Sequence, residues 1–325
     1  MKLRLLCALL VSFGLTGAAC SRSSGSPTPA GEATSAVPSA TATLGAALAP
    51  GWNTLPIKHD GLDRPVRLFV PASSLKAAQR SVALVVALHG GLGSAEQFAT
   101  TTRFDQLADK EGFIVAFPDG FQKTWNGGRC CGQAVARKID DVGYIATLIA
   151  TLSASLPIDP GRIYVTGHSN GAIMAFRFAC ERPELVTAIV PVAGSLEAPC
   201  PAKGPGVALL NIHGDSDRNL PLEGGVGDRS IAGVAFTSTA NSMAAWNAAF
   251  GCPGTATTTA SATLNTTLWE GCRDRITSQL TVIIGADHPW PGAQERRASG
   301  LQGEVSQALD ATAEAWAFFK LHVRR

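Results

Sequence analysis

A serine, a carboxylate and a histidine, each following an apolar run, can carry an acyl group through a covalent intermediate. The histidine takes the serine proton and the carboxylate stabilises the imidazolium that forms. Ser169, Asp217 and His288 offer that set in this chain of 325 residues. Ser169 is the centre of Gly167-His168-Ser169-Asn170-Gly171, which lies between Arg162-Ile163-Tyr164-Val165-Thr166 and Ala172-Ile173-Met174-Ala175-Phe176. Strand, sharp turn and helix in that order make a G-x-S-x-G pentapeptide a nucleophile elbow. Its glycines keep side-chain atoms out of the crowded turn, while the serine is held in strained geometry with its hydroxyl exposed.

Asp217 lies in His213-Gly214-Asp215-Ser216-Asp217, after the apolar run at 207–212, and His288 in Gly285-Ala286-Asp287-His288, after the run at 280–284. Other residues of the same types have plainer readings. His59 and His322 read as surface or packing residues. His89 and His213 read as strand-end rings that bond loop backbone, and His168 as a ring turned away from a base's position. Asp140 and Asp141 read as caps of a helix, and Asp287 is adjacent to His288 and so unsuited to face it. Asp215 and Asp217 both remain open on the residues alone, one as the acid and the other as a turn residue. A developing oxyanion also needs donors. The backbone N–H of Asn170, just after the nucleophile, is one. The other is assigned to Gly91 in His89-Gly90-Gly91-Leu92-Gly93, after the buried run at 82–88.

These residues converge only if strand ends line one edge of a parallel sheet, where ligands bind in open α/β folds. The pattern supplies such strands. A hairpin over 54–70 turning at Asp60-Gly61 is followed by strands near 82–88, 113–117, 162–166, 187–193, 207–212 and 280–284. Helices near 95–111, 139–155, 170–181, 235–250 and 303–321 alternate with them, and a Thr-rich β excursion covers 255–278. The expected fold is α/β, a mostly parallel central sheet with helices on both faces.

Six segments together resemble one known family. They are Leu88-His89-Gly90-Gly91, Phe117-Pro118-Asp119-Gly120, Trp125-Asn126-Gly127-Gly128-Arg129-Cys130-Cys131-Gly132, Asp140-Asp141-Val142-Gly143, the elbow, and His288-Pro289-Trp290-Pro291-Gly292. They look like the polyhydroxybutyrate depolymerase and feruloyl esterase family of secreted α/β-hydrolases, over about residues 52–321. The resemblance implies an α/β-hydrolase fold with Ser169 as nucleophile, His288 as base and Asp217, rather than Asp215, as acid. Leu220 stands where the family usually has Val, and Asn170 and Ala172 where many relatives have Ala and Gly.

Lys2 and Arg4 precede an apolar stretch at 5–15 and Thr16-Gly17-Ala18-Ala19-Cys20, which reads as a signal peptide over 1–19, too short to span a bilayer. Residues 20–48 are Ser, Thr, Ala, Pro and Gly with few bulky side chains, as in a flexible linker. The catalytic domain is then 49–325. Cleavage before Cys20 would leave a lipidated membrane tether, although Gly17 stands where a lipobox usually has Leu; free secretion is the rival. Without Lys2 and Arg4, the 27 basic residues fall to 25, equal to the 25 acidic ones. No basic cluster marks a nucleic-acid partner. Six body cysteines suit disulfides in an exported domain, with Cys252–Cys272 the first expected pair and Cys180–Cys200 the second. No C-x-x-C pair suggests zinc.

The reading is an exported monomeric serine carboxylic-ester hydrolase without cofactor or metal. Trp125 and Trp290 are expected as a flat wall of the substrate site, which favours feruloyl or related esters of plant polysaccharide. Polyhydroxyalkanoate or short acetyl esters come next. An acyltransferase and an inactive binding module on the same fold are the alternatives of other classes.

Overall fold

Asp60 and Gly61 both take positive φ, 49° and 74°, so the chain reverses in two residues and β1 (Gly51–His59) pairs antiparallel with β2 (Leu62–Val70). The computed structural model describes residues 48–76, 82–201, 203–294 and 303–325. The expected signal segment, Cys20 and the linker up to 47 lie outside the described residues. After α1 (Ala72–Lys76) come β3 (Val82–Leu88), α2 (Ala95–Thr102), α3 (Phe104–Glu111) and β4 (Ile114–Pro118). The chain continues through α4 (Gly132–Ala136), α5 (Asp141–Ser155), β5 (Ile158–His168), α6 (Asn170–Glu181), β6 (Ala188–Val192) and β7 (Ala208–Gly214). It ends with α7 (Thr239–Ala249), β8 (Thr257–Ala260), β9 (Leu264–Trp269), β10 (Ser278–Ile283) and α8 (Ala311–Leu321).

Among the described residues, ten strands form one sheet in the order β1-β2-β4-β3-β5-β6-β7-β10-β9-β8. The six central strands run parallel, and an antiparallel hairpin flanks each end. β3, β4, β6 and β7 are buried along their whole length, as parallel strands are when both faces are covered. From β3 the chain crosses to β4 on one side, whereas from β5 it crosses to β6 on the other. Right-handed crossovers therefore put α2 and α3 on one face and α5 and α6 on the opposite face. The reversal falls between β3 and β5, the crevice where ligands bind in such sheets.

Three helices differ from the expected spans. The helix expected over 95–111 is two, because Arg103 takes a left-handed φ of 51° between α2 and α3. Thr100, Thr101 and Thr102 each bond back to a carbonyl four residues earlier, which bends helices. α8 begins only at Ala311, where the Asp310 carboxylate caps the N–H groups of Thr312 and Ala313. α7 begins at Thr239 behind the Ser238 cap. Cys252 is bonded to Cys272, closing the polar excursion that forms β8 and β9, and Cys180 is bonded to Cys200. Adjacent Cys130 and Cys131 are bonded to each other.

Candidate active site

Ser169 stands between β5 and α6 with φ 55° and ψ −119°, a left-handed-side backbone that a residue with a Cβ seldom adopts. The close approach explains the flanking glycines. A Cβ at Gly167 would collide with the Gly171 backbone, and one at Gly171 would strike the Leu88 carbonyl oxygen. The turn aims the Ser169 hydroxyl at His288, whose Nε2 is 2.9 Å from Oγ. His288 Nδ1 is 2.7 Å from Asp217 Oδ2. A carboxylate only accepts, so Nδ1 carries the proton, and the Nε2 lone pair is left to accept from the serine hydroxyl. The three strand-end residues expected to converge are brought together.

Asp217 is 4 % exposed and its oxygens are fully engaged. Oδ1 accepts from the N–H groups of Asn219 and Leu220, each at 2.8 Å, and His213 Nε2 lies 3.5 Å from Oδ2. Burial by itself would raise its pKa, but the His288 charge and the bonds from His213 and His288 outweigh it and hold the carboxyl well below the usual carboxylate range. The other acids are occupied elsewhere. Exposed Asp215 accepts from Gly285 N–H at 2.7 Å. Asp287 accepts from the N–H of His288 at 2.9 Å and pairs with Arg229 at 2.7 Å. Asp140 caps α5 through Gly143 N–H, as expected, whereas Asp141 is no surface cap. It is buried, pairs with Arg64 and accepts from Asn126 N–H at 2.7 Å.

His89, His213, His168 and His322 bond backbone, whereas His59 bonds the side chains of Thr147 and Asp140. His89 and His213 bond loop carbonyls, those of Gly90 and Leu220. His168 Nε2 donates to the carbonyl of His288 at 2.8 Å, so the ring is engaged by backbone and ties the elbow to the His288 loop.

Ser169, Gly91, Asn170 and His288 border one cavity of about 450 Å³, an ordinary size for a small-molecule site. The Asn170 N–H, at the first turn of α6, has no intrahelical acceptor and is available to a ligand. Leu92, Cys131, Ile173, Leu220, Ile231 and Phe236 make the wall largely apolar. Trp125 and Trp290 do not form it, which corrects the expectation of a tryptophan wall. They are 0 % and 2 % exposed, and their indole N–H groups bond the His89 carbonyl at 2.9 Å and Thr312 Oγ1 at 3.1 Å. Both anchor loops from below. The residues that do line the cavity carried little signal in the sequence. Ile231 and Phe236 come from a segment with no helix or strand periodicity, brought over the site by a bridge between Gly225 and Phe236.

Residues 66–203 match the model of the family described as Esterase PHB depolymerase, a span that contains Ser169 but ends before Asp217 and His288. Feruloyl esterase B of Piromyces equi is 28% identical over 221 residues, covering 64% of this chain and 40% of that protein. Putative esterase NocK of Nocardia uniformis subsp. tsuyamanensis is 31% identical over 169 residues, covering 50% and 48%. The matches span less than half the length of either relative. The fold is shared with an acetyl xylan esterase from Aspergillus awamori at a TM-score of 0.57 and 16% identity, over 74% of this chain and 94% of that one. The family match over 66–203 and these relatives make the chain similar to the esterases of the polyhydroxybutyrate depolymerase and feruloyl esterase family, and its open, mostly parallel sheet is an α/β-hydrolase fold.

Proposed function

We propose that the protein is a carboxylic-ester hydrolase that works through an acyl-enzyme on Ser169. The observation that carries this reading is the continuous chain from Ser169 Oγ through His288 to Asp217, at 2.9 and 2.7 Å, opening into a mostly apolar cavity. In this mechanism Ser169 attacks the ester carbonyl while His288 Nε2 takes its proton, and Asp217 stabilises the imidazolium. The N–H groups of Gly91 and Asn170 receive the oxyanion. His288 then gives its proton to the leaving alkoxide, and a water activated by the same ring hydrolyses the acyl-enzyme. Aliphatic side chains and Phe236 fit an apolar acyl group, and Feruloyl esterase B is among the similar proteins. Feruloyl and related esters of plant polysaccharide are the leading substrates.

Disulfides at Cys180–Cys200 and Cys252–Cys272 fit an oxidising compartment. Export through the leader at 1–19, as a secreted enzyme or one tethered at Cys20, belongs to the same reading. The test compares ferulate release from methyl ferulate, 3-hydroxybutyrate release from its oligomer, and acetate release from a p-nitrophenyl ester. Ferulate release at the highest kcat/KM supports the reading. Oligomer cleavage without ferulate release moves the substrate to polyhydroxyalkanoates, and activity on acetate alone to short acyl groups. Transfer to an added sugar hydroxyl in preference to water would make the protein an acyltransferase, and failure on every ester would leave a binding module.

A further inference from the structure

The two oxyanion donors sit on separate elements, Gly91 in the loop after β3 and Asn170 at the start of α6, and one residue touches both. Trp125 Nε1–H donates to the carbonyl of His89 at 2.9 Å, two residues before Gly91. Trp125 N–H donates to Asn170 Oδ1 at 2.7 Å, and Asn170 Nδ2 donates to the Trp125 carbonyl at 3.0 Å. The Asn170 amide thus pairs with a backbone peptide unit much as a neighbouring strand would. We propose that Trp125 is a positioning residue that fixes the spacing of the two oxyanion donors, a role that rests on the acyl-enzyme reading.

The bracket is itself held from both sides. Trp125 is fully buried, with its ring against His89 at 5.2 Å and the Arg64 guanidinium at 5.2 Å. The next residue is pinned because Asn126 N–H donates to the buried Asp141 carboxylate. On the loop side, Gly120 N–H donates to His89 Nε2 at 2.9 Å, so the His89 proton is on Nδ1 and points to the Gly90 carbonyl at 2.8 Å. Gly93 N–H reaches that carbonyl at 3.0 Å, and Leu92 N–H donates to the Lys123 carbonyl at 2.8 Å. The peptide groups around Gly91 are therefore held before any charge appears. Preorganisation of this kind gives oxyanion donors their value, because dipoles already in place need no rearrangement during reaction.

Two variants break the bracket at different bonds. Trp125→Phe keeps most of the ring but removes the Nε1–H bond to His89. Asn170→Ala removes both bonds to the Trp125 backbone and keeps the Asn170 N–H donor. The probes are steady-state turnover of p-nitrophenyl butyrate and inhibition by an alkyl trifluoromethyl ketone. Ser169 Oγ adds to the ketone carbon, its proton passes to His288, and the ketone oxygen becomes an oxyanion. Each variant is expected to lose about tenfold or more in kcat with KM nearly unchanged, because ground-state contacts persist while the donors move. The ketone inhibition constant should rise by the factor by which kcat/KM falls, with affinity for free butyrate unaltered. Wild-type kcat in both variants overturns the proposal, and so does a fall in kcat with ketone inhibition unchanged. If Trp125→Phe fails to fold, Asn170→Ala decides alone, since it leaves the indole and its packing in place. An unmodified protein that the ketone does not inhibit would refute the acyl-enzyme reading itself.

Discussion

The floor of the cavity and its rim are built on opposite principles. At the floor, Asp217 and His288 are almost fully buried, and their polar atoms are bonded to one another, to Ser169 or to loop backbone. The rim carries Leu92 and Ile231, apolar and 57% and 64% exposed. A buried polar set is costly unless every member is satisfied, so its residue types and geometry are tightly constrained. An exposed apolar side chain is constrained by little more than size. Under the proposed function the contrast gives chemistry to the floor and choice of substrate to the rim, and it can be broken from either side.

The largest effect belongs to the proposed nucleophile. Ser169→Ala should reduce kcat on a p-nitrophenyl ester by about 10⁶-fold while the thermal midpoint stays near that of the parent. A folded variant with a tenth of the activity would end the assignment. Asp217→Asn should cost about 10⁴-fold, since an amide favours the wrong tautomer of His288, whereas Asp215→Asn should cost little. The reverse ranking would move the acid. The same pair reports on stability. The depressed Asp217 pKa contributes stability that is fully present above the unfolded value of about 3.9 and is lost as pH falls toward the folded value. The stability gap between the parent and Asp217→Asn should therefore narrow as unfolding is measured at pH 5, 4 and 3.

Away from the floor the effects shrink. Replacing Cys252 and Cys272 with serine frees a tie between residues 20 apart. Denaturant unfolding should show a loss of about 3 kcal/mol in the chain-entropy model. Turnover at 25 °C should hardly move, because the tie closes the edge hairpin and not the strand ends; a collapse in kcat would show that the floor depends on that edge. At the rim, Ile231→Ser should raise KM for a bulky apolar ester by about threefold and leave an acetyl ester unchanged, as expected for loss of a partly exposed apolar contact. Equal losses on both esters would erase the distinction between floor and rim.

The floor was also the legible part. The Ser169 elbow is readable because only glycine fits at 167 and 171, and His288 because a histidine follows a strand end in the right order. The residues alone left Asp215 and Asp217 open. Resemblance chose Asp217, and the distances of 2.7 Å to His288 and 2.8 Å to two loop N–H groups give the physical ground for that choice. Strand positions were likewise within reach, because buried strands advertise themselves as apolar runs between turn residues, and so was the Cys252–Cys272 tie, whose cysteines flank a polar excursion; the order of the strands in the sheet was not.

Trp125 shows where sequence runs out. A tryptophan in a loop beside a site can face a ligand or anchor the loop from beneath, because its apolar ring and single N–H suit both places. Burial and the bond to the His89 carbonyl settle it as an anchor. The break at Arg103 and the late start of α8 depend in the same way on local bonds that compete with helix continuation. The sequence by itself determined which residue types could do acyl chemistry and which strands would carry them, since period and turn chemistry are local properties. Tertiary structure alone decided which side chains line the cavity, which bonds join Trp125 to His89 and Asn170, and which of two aspartates meets the histidine. Those outcomes depend on distances between segments far apart in the chain, which no local pattern records.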